Sequence, residues 1–148
     1  PCAASMISVT RAAVLTGKEV LNGYVQLTSN FTSSTTGDVD ITDLTLTFTN
    51  LQAAVDLSLG GLDVSQSATA TTPQVYITDS SGVHLAGADE TALTGALKFS
   101  LGMVKARLTL TAGTSYTFKG MANRGGGSGT LTISAASTAP LWMQAIYR

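Results

Sequence analysis

The run DLTLTFTNL, from Asp43 to Leu51, sets Leu44, Leu46 and Phe48 at alternate positions with Thr45, Thr47 and Thr49 between them. Successive side chains of a strand point to opposite faces, so an extended chain gathers the apolar groups on one side and leaves the threonines to water. The same period of two returns as Val55, Leu57 and Leu59, as Val75 and Ile77, and as Val83 and Leu85. It returns again as Leu97, Phe99, Leu101 and Met103, as Val104, Ala106, Leu108 and Leu110, as Tyr116 and Phe118, and as Leu131 and Ile133. Each run is short and stops at turn-forming residues such as TSSTTGD, LGGLD, DSSG and TAGT. About eight to ten strands at this spacing predict an all-β, antiparallel sandwich, jelly roll or barrel with little or no helix. The one helical candidate is a short turn at GADETALTG, where Asp89 and Glu90 would stand at the positive amino end.

A chain of 148 residues forms a single domain most simply, and only 11% of it is charged. The expected layout is residues 1–20 as an amino-terminal arm or edge strand and residues 21–148 as one β-sandwich domain. One cysteine, Cys2, and one histidine, His84, exclude both an internal disulfide and a four-ligand sulfur and nitrogen zinc site. No apolar run reaches the roughly 18 residues of a membrane helix, and no basic segment followed by an apolar one marks a secretory signal. The expectation is therefore a soluble protein made in the cytoplasm, with Pro1 consistent with removal of an initiator methionine.

Charge is segregated along the chain. From Asp38 to Glu90 every charged residue is acidic, and from Lys98 to Arg148 every one is basic. The six cations of the second half, Lys98, Lys105, Arg107, Lys119, Arg124 and Arg148, are dispersed. They make too thin a footprint for a nucleic-acid partner, so the two halves are expected to face each other, within a subunit or between neighbours.

Motifs for chemistry are weak. The glycine run RGGGSG lies between the alternating TSYTFKGMA and GTLTIS, which reads as a hairpin turn; a phosphate-binding loop would need Lys and Ser or Thr after its last glycine, then a helix. Asp38, Asp40 and Asp43 crowd GDVDITD, yet Asp43 and Thr49 stand where a calcium-binding loop would want glycine and glutamate, so a solvated loop is expected. His84, Asp79 and nearby serines can be drawn as a triad, but no nucleophile motif supports one, and His84 is expected to face solvent. The sequon at Asn30 would matter only in a secreted eukaryotic protein. No catalytic residue, cofactor or metal is expected.

The final run PLWMQAIYR points to assembly. Leu141, Met143, Ala145 and Tyr147 face one way, while Trp142 and Ile146 face the other beside Gln144 and Arg148. A sandwich strand needs one apolar face, so the second needs a cover: a neighbouring subunit, or a loop of the same chain.

The segment LTAGTSYTFKGMANRGGGSGTLTI followed by LWMQAIYR resembles the closing strands of trimeric jelly-roll modules in tailed-bacteriophage structural proteins. Those modules serve as capsid decoration (cement) proteins and as fibre heads, and share an architecture with TNF and C1q-like trimers. The resemblance covers about Gly61 to Arg148. It implies a jelly-roll sandwich, a homotrimer with Tyr116, Phe118, Trp142 and Ile146 near its axis or core, and a place in the virion. With no heptads or repeats to form a stalk, it implies a decoration protein on the major capsid protein at the capsid surface, with Ile7, Val9 and Arg11 in an arm that docks there. The alternatives are a fibre head that binds a host-surface glycan, and a small carbohydrate-binding module using Tyr24, Tyr76 and Trp142. Membrane and nucleic-acid partners are not expected.

Overall fold

Every alternating run turns into a ladder-paired strand. The computed structural model describes residues 20–68, 72–89 and 95–147, and those residues form twelve strands and no helix. In chain order they are β1 (Val20–Leu27), β2 (Phe31–Ser33), β3 (Asp38–Thr49), β4 (Ala54–Gly60), β5 (Asp63–Gln66) and β6 (Gln74–Asp79). There follow β7 (His84–Asp89), β8 (Leu97–Ser100), β9 (Val104–Thr109), β10 (Ser115–Asn123), β11 (Leu131–Ser134) and β12 (Leu141–Tyr147).

All pairings between these strands are antiparallel, in three sheets ordered β1-β12-β4-β9, β3-β10-β6-β7 and β2-β11-β5-β8. The first and third run in the same order, because β1 leads into β2, β4 into β5, β8 into β9 and β11 into β12. Together they make one four-stranded layer broken along a line through residues 28–30, 61–62, 101–103 and 135–140. Counted through that kink, the chain has eight long strands in two layers. It visits the kinked layer with its first, third, sixth and eighth strands, and the flat layer with the others.

Gly61 and Gly102, at φ 76° and 72°, supply the left-handed backbone that turns two of the kinks. A Cβ on Gly61 would lie 2.2 Å from the Pro140 carbonyl oxygen, so the kink also needs the bare backbone there. The interrupted ladder is stitched by Asn30 Oδ1, which accepts the Ala135 N–H at 2.9 Å, and by the Leu62 carbonyl, which accepts the Leu101 N–H at 3.1 Å.

The core lies between the layers. Val55, Leu57 and Leu59 of β4, Leu141, Met143 and Ala145 of β12, and Val75 and Ile77 of β6 are fully buried there. In β3 the inward set is Ile41, Leu44, Leu46 and Phe48, so the parity changes between Ile41 and Leu44. Asp43 makes the change with φ 65°, and the register against β10 jumps between Lys119 and Met121. Opposite the bulge, Gly120 leaves room for the Leu44 side chain, since a Cβ there would lie 2.4 Å from Leu44 Cδ2.

Several expectations change in three dimensions. The aspartate-rich GDVDITD is the first half of a long strand rather than a loop. Leu97 is exposed at the start of β8, and Met103 is exposed because the left-handed Gly102 lies in the break between β8 and β9, so the alternation does not carry through. Val83 is exposed in the turn before β7. Residues 90–94 of the proposed helical turn lie outside the described residues, and Asp89 closes β7. The glycine run is no hairpin: β10 and β11 belong to different layers, and Gly125, Gly127 and Gly129, all at positive φ, carry the chain across.

Candidate functional site: an apolar outer face and a groove at the kink

The outer face of the kinked layer is built by register. Ile146 of β12 stands between Leu21 of β1 and Asp56 of β4, with Arg107 of β9 beyond. Gln144 stands between Tyr24 and Ser58, and Trp142 between Gln26 and Gly60. Leu21 is 53% exposed and Tyr24 46%, while Ile146 is half-buried. The Tyr24 hydroxyl donates to Gln26 Oε1 at 2.9 Å, and Asp56 accepts from Arg107 Nε at 3.0 Å at the far margin. An apolar patch with a polar border results on a layer whose other side already faces the core.

The four proposed interface residues fall into two separate places. Tyr116 and Phe118 point inward from β10, where Phe118 is 3% exposed and its ring centroid is 5.7 Å from that of Phe48. Phe118 therefore belongs to the subunit's own core and offers a neighbour no side-chain surface. Tyr116 is half-buried at the margin of the same layer, its hydroxyl accepting the Thr111 N–H at 3.0 Å. That bond holds the phenol pKa below its ordinary value. Trp142 and Ile146 do share the outer face of the other layer. Ile7, Val9 and Arg11 lie outside the described residues.

Leu21 escaped the sequence pattern because β1 carries a bulge between Leu21 and Gly23. That shift puts Leu21 and Tyr24, three positions apart, on one face, which a period of two does not detect.

Trp142 is half-buried by its own chain: a Cβ on Gly60 would lie 2.4 Å from its Cζ2, so the indole lies directly on the glycine backbone. From there the kink opens into a groove of about 490 Å³, lined by Trp142, Pro140 and the small residues Gly61, Ala135, Ala136 and Ala139 together with Asp63, Ser134 and Asn30. Asp63 and Ser134 are register partners, and Ser100 lies across from Asp63 on the other side. Asn30 Oδ1 accepts the Ala135 N–H at the groove's edge. Neither Asp63 nor Asn30 stood out in the sequence, because strands remote in the chain bring them to Trp142.

The outer face of the flat layer holds the polar candidates. His84 Nε2 lies 2.8 Å from Asp38 Oδ2, and its ring stacks on Tyr76 with centroids 3.9 Å apart. Asn123 Nδ2 donates to the other Asp38 oxygen at 2.8 Å, and the Tyr76 hydroxyl donates to Gln74 Oε1. Burial, with Asp38 and Asp89 nearby, pushes the Tyr76 phenol pKa up. Asp79 does not approach His84 as a triad would require: its Oδ1 accepts the N–H groups of Ser81 and Val83 and closes its own hairpin. Asp40 pairs with Lys119 at 2.7 Å. No group of three or more metal-ligating side chains occurs among the described residues.

The ion pairs Asp40–Lys119 and Asp56–Arg107 both join the acidic half of the chain to the basic half, inside one subunit. Arg124, before the glycine run, is 4% exposed, and its Nε and Nη1 have no hydrogen-bond partner among the described residues.

No protein-family model matches the chain, and no curated protein matches it. Among solved structures it is similar to the tripod from the baseplate of bacteriophage Tuc2009, at 17% identity and a TM-score of 0.40, over 100% of this chain and 79% of that one.

Proposed function

We propose that this chain is a virion structural protein of a tailed bacteriophage, a homotrimeric jelly-roll subunit that binds the major capsid protein as a decoration protein and catalyses no reaction. The observation that carries the reading is the outer patch of Leu21, Tyr24 and Ile146, large apolar groups left at the surface of a layer already packed on its other side. Burying one such side chain is worth about 1.5 to 3 kcal/mol, so three copies of the patch would hold a trimer together. The alternation of eight long strands between two layers supports the jelly-roll type, and the resemblance of the closing strands supports the phage setting.

The mechanism is multivalent. Three identical docking surfaces at a local threefold turn weak contacts into firm attachment, because each contact after the first is intramolecular. An arm bearing Ile7, Val9 and Arg11 would add to each surface. Sedimentation equilibrium of the isolated protein, with a count of copies on the heads and tails of purified virions, tests the reading. A trimer found in many copies on heads is expected. A stable monomer overturns the assembly, and few copies confined to the tail overturn the capsid role.

A further inference from the structure

Arg124 carries its charge into one end of the core. Phe118, Gly120 and Ala122 are the inward residues of β10, and Arg124 continues that face one step past the strand, 4% exposed. Its backbone is fixed on both sides. Asn123 is paired with Asp38 and Gln74, its Oδ1 accepts the Gly125 N–H at 2.8 Å, and a Cβ on Gly125 would lie 2.9 Å from the Thr72 carbonyl oxygen. The guanidinium is therefore held between the layers. The nearby carboxylates of the flat layer are on its other side: Asp38 accepts from Asn123 and meets His84 there, and Asp40 pairs with Lys119.

What the described strands offer Arg124 is apolar or neutral. Val39 and Val75 flank Ala122 in the ladder, and across the glycine run the kinked layer contributes the buried Leu131 and Gln66. The Gln66 amide nitrogen donates to the Ser128 carbonyl at 3.2 Å, and its oxygen carries no formal charge. No ion pair reaches Arg124 among the described residues, and its Nε and Nη1 donors are without partners there. A water would satisfy those donors and leave the charge, and a guanidinium cannot shed its proton to escape burial. Only an anion meets both needs.

We propose that this end of the core, beneath the glycine run, binds a small inorganic anion of the halide class, chloride in the cell, against the Arg124 guanidinium. A monatomic ion accepts hydrogen bonds from any direction and brings no further groups to satisfy. Phosphate or a carboxylate ligand would bring several oxygens into a place where the described neighbours are valines, a leucine and one amide. The ion and the guanidinium then form a neutral buried pair, and the chain crosses from β10 to β11 over it. The site lies inside one subunit and does not depend on the proposed trimer.

The isolated protein is unfolded in urea at fixed sodium and protein concentrations, with bulky gluconate replaced stepwise by chloride or bromide. The parent's midpoint should rise by about 1 M once halide is in about thirtyfold excess over its dissociation constant, and that of Arg124→Met should not. The difference between the two proteins is the readout, because general effects of salt on the protein surface act on both. Parent crystals soaked in bromide should show an anomalous peak beside the Arg124 guanidinium, a measurement that needs no variant. Glu90→Gln removes a carboxylate outside the described residues and should keep the parent's halide dependence. Equal halide dependence in parent and Arg124→Met, no anomalous peak at Arg124, or a halide dependence that appears only in Glu90→Gln overturns the proposal.

Discussion

At the scale of single residues, two buried polar groups have measurable consequences. Arg124 is buried with two of its three guanidinium nitrogens unpartnered among the described residues, and desolvating a cation whose donors are only partly satisfied opposes folding. Arg124→Met keeps the length of the side chain and removes the charge; it should leave stability unchanged or raise it by about 1 to 4 kcal/mol in chemical denaturation. Tyr147 is the second case. Its ring is buried and its hydroxyl accepts the Leu51 N–H, and burial raises the phenol pKa although that bond lowers it. The folded state therefore holds this proton more tightly than the unfolded chain does. The resulting stabilisation is complete below the unfolded tyrosine value of about 10 and is lost as pH rises through the higher folded value. Stability measured above about pH 10 should fall less steeply in Tyr147→Phe, which has no proton to lose, than in the parent.

At the scale of elements, alternation located nine of the twelve strands, passed over β1, β2 and β5, and misjudged places where the backbone changes its parity. β3 keeps Leu44, Leu46 and Phe48 inward as its sequence dictates, yet reaches Ile41 only through the left-handed Asp43. The room for that bulge is across the sheet at Gly120. Gly120→Ala would drive a methyl to within 2.4 Å of Leu44 Cδ2 and should cost about 1 to 3 kcal/mol, read as a lower denaturation midpoint. The same blindness explains Met103 beyond Gly102, and Leu21 before the β1 bulge. The glycine run shows a different limit. Two alternating strands around a glycine-rich turn are a hairpin by local pattern, but pairing is chosen by distant strands: β10 pairs with β3 and β6, while β11 pairs with β2 and β5.

At the scale of the molecule, the proposed trimer would rest on the apolar outer patch. Leu21→Ser with Ile146→Ser should convert a trimer to a folded monomer in sedimentation, because both side chains face away from the subunit's own core. Denaturation of the monomeric variant should lose the dependence on protein concentration that an assembly shows. The sequence by itself determined the all-β class, the inward face of most strands and the double-sided character of β12, because a side-chain period of two is local and needs no partner to be read. The tertiary structure decided which strands pair, that one layer breaks along a line, that Phe118 is core while Leu21 is surface, and that Asp63 and Asn30 meet Trp142. Those outcomes depend on contacts between residues far apart in the chain, and no local pattern carries that information.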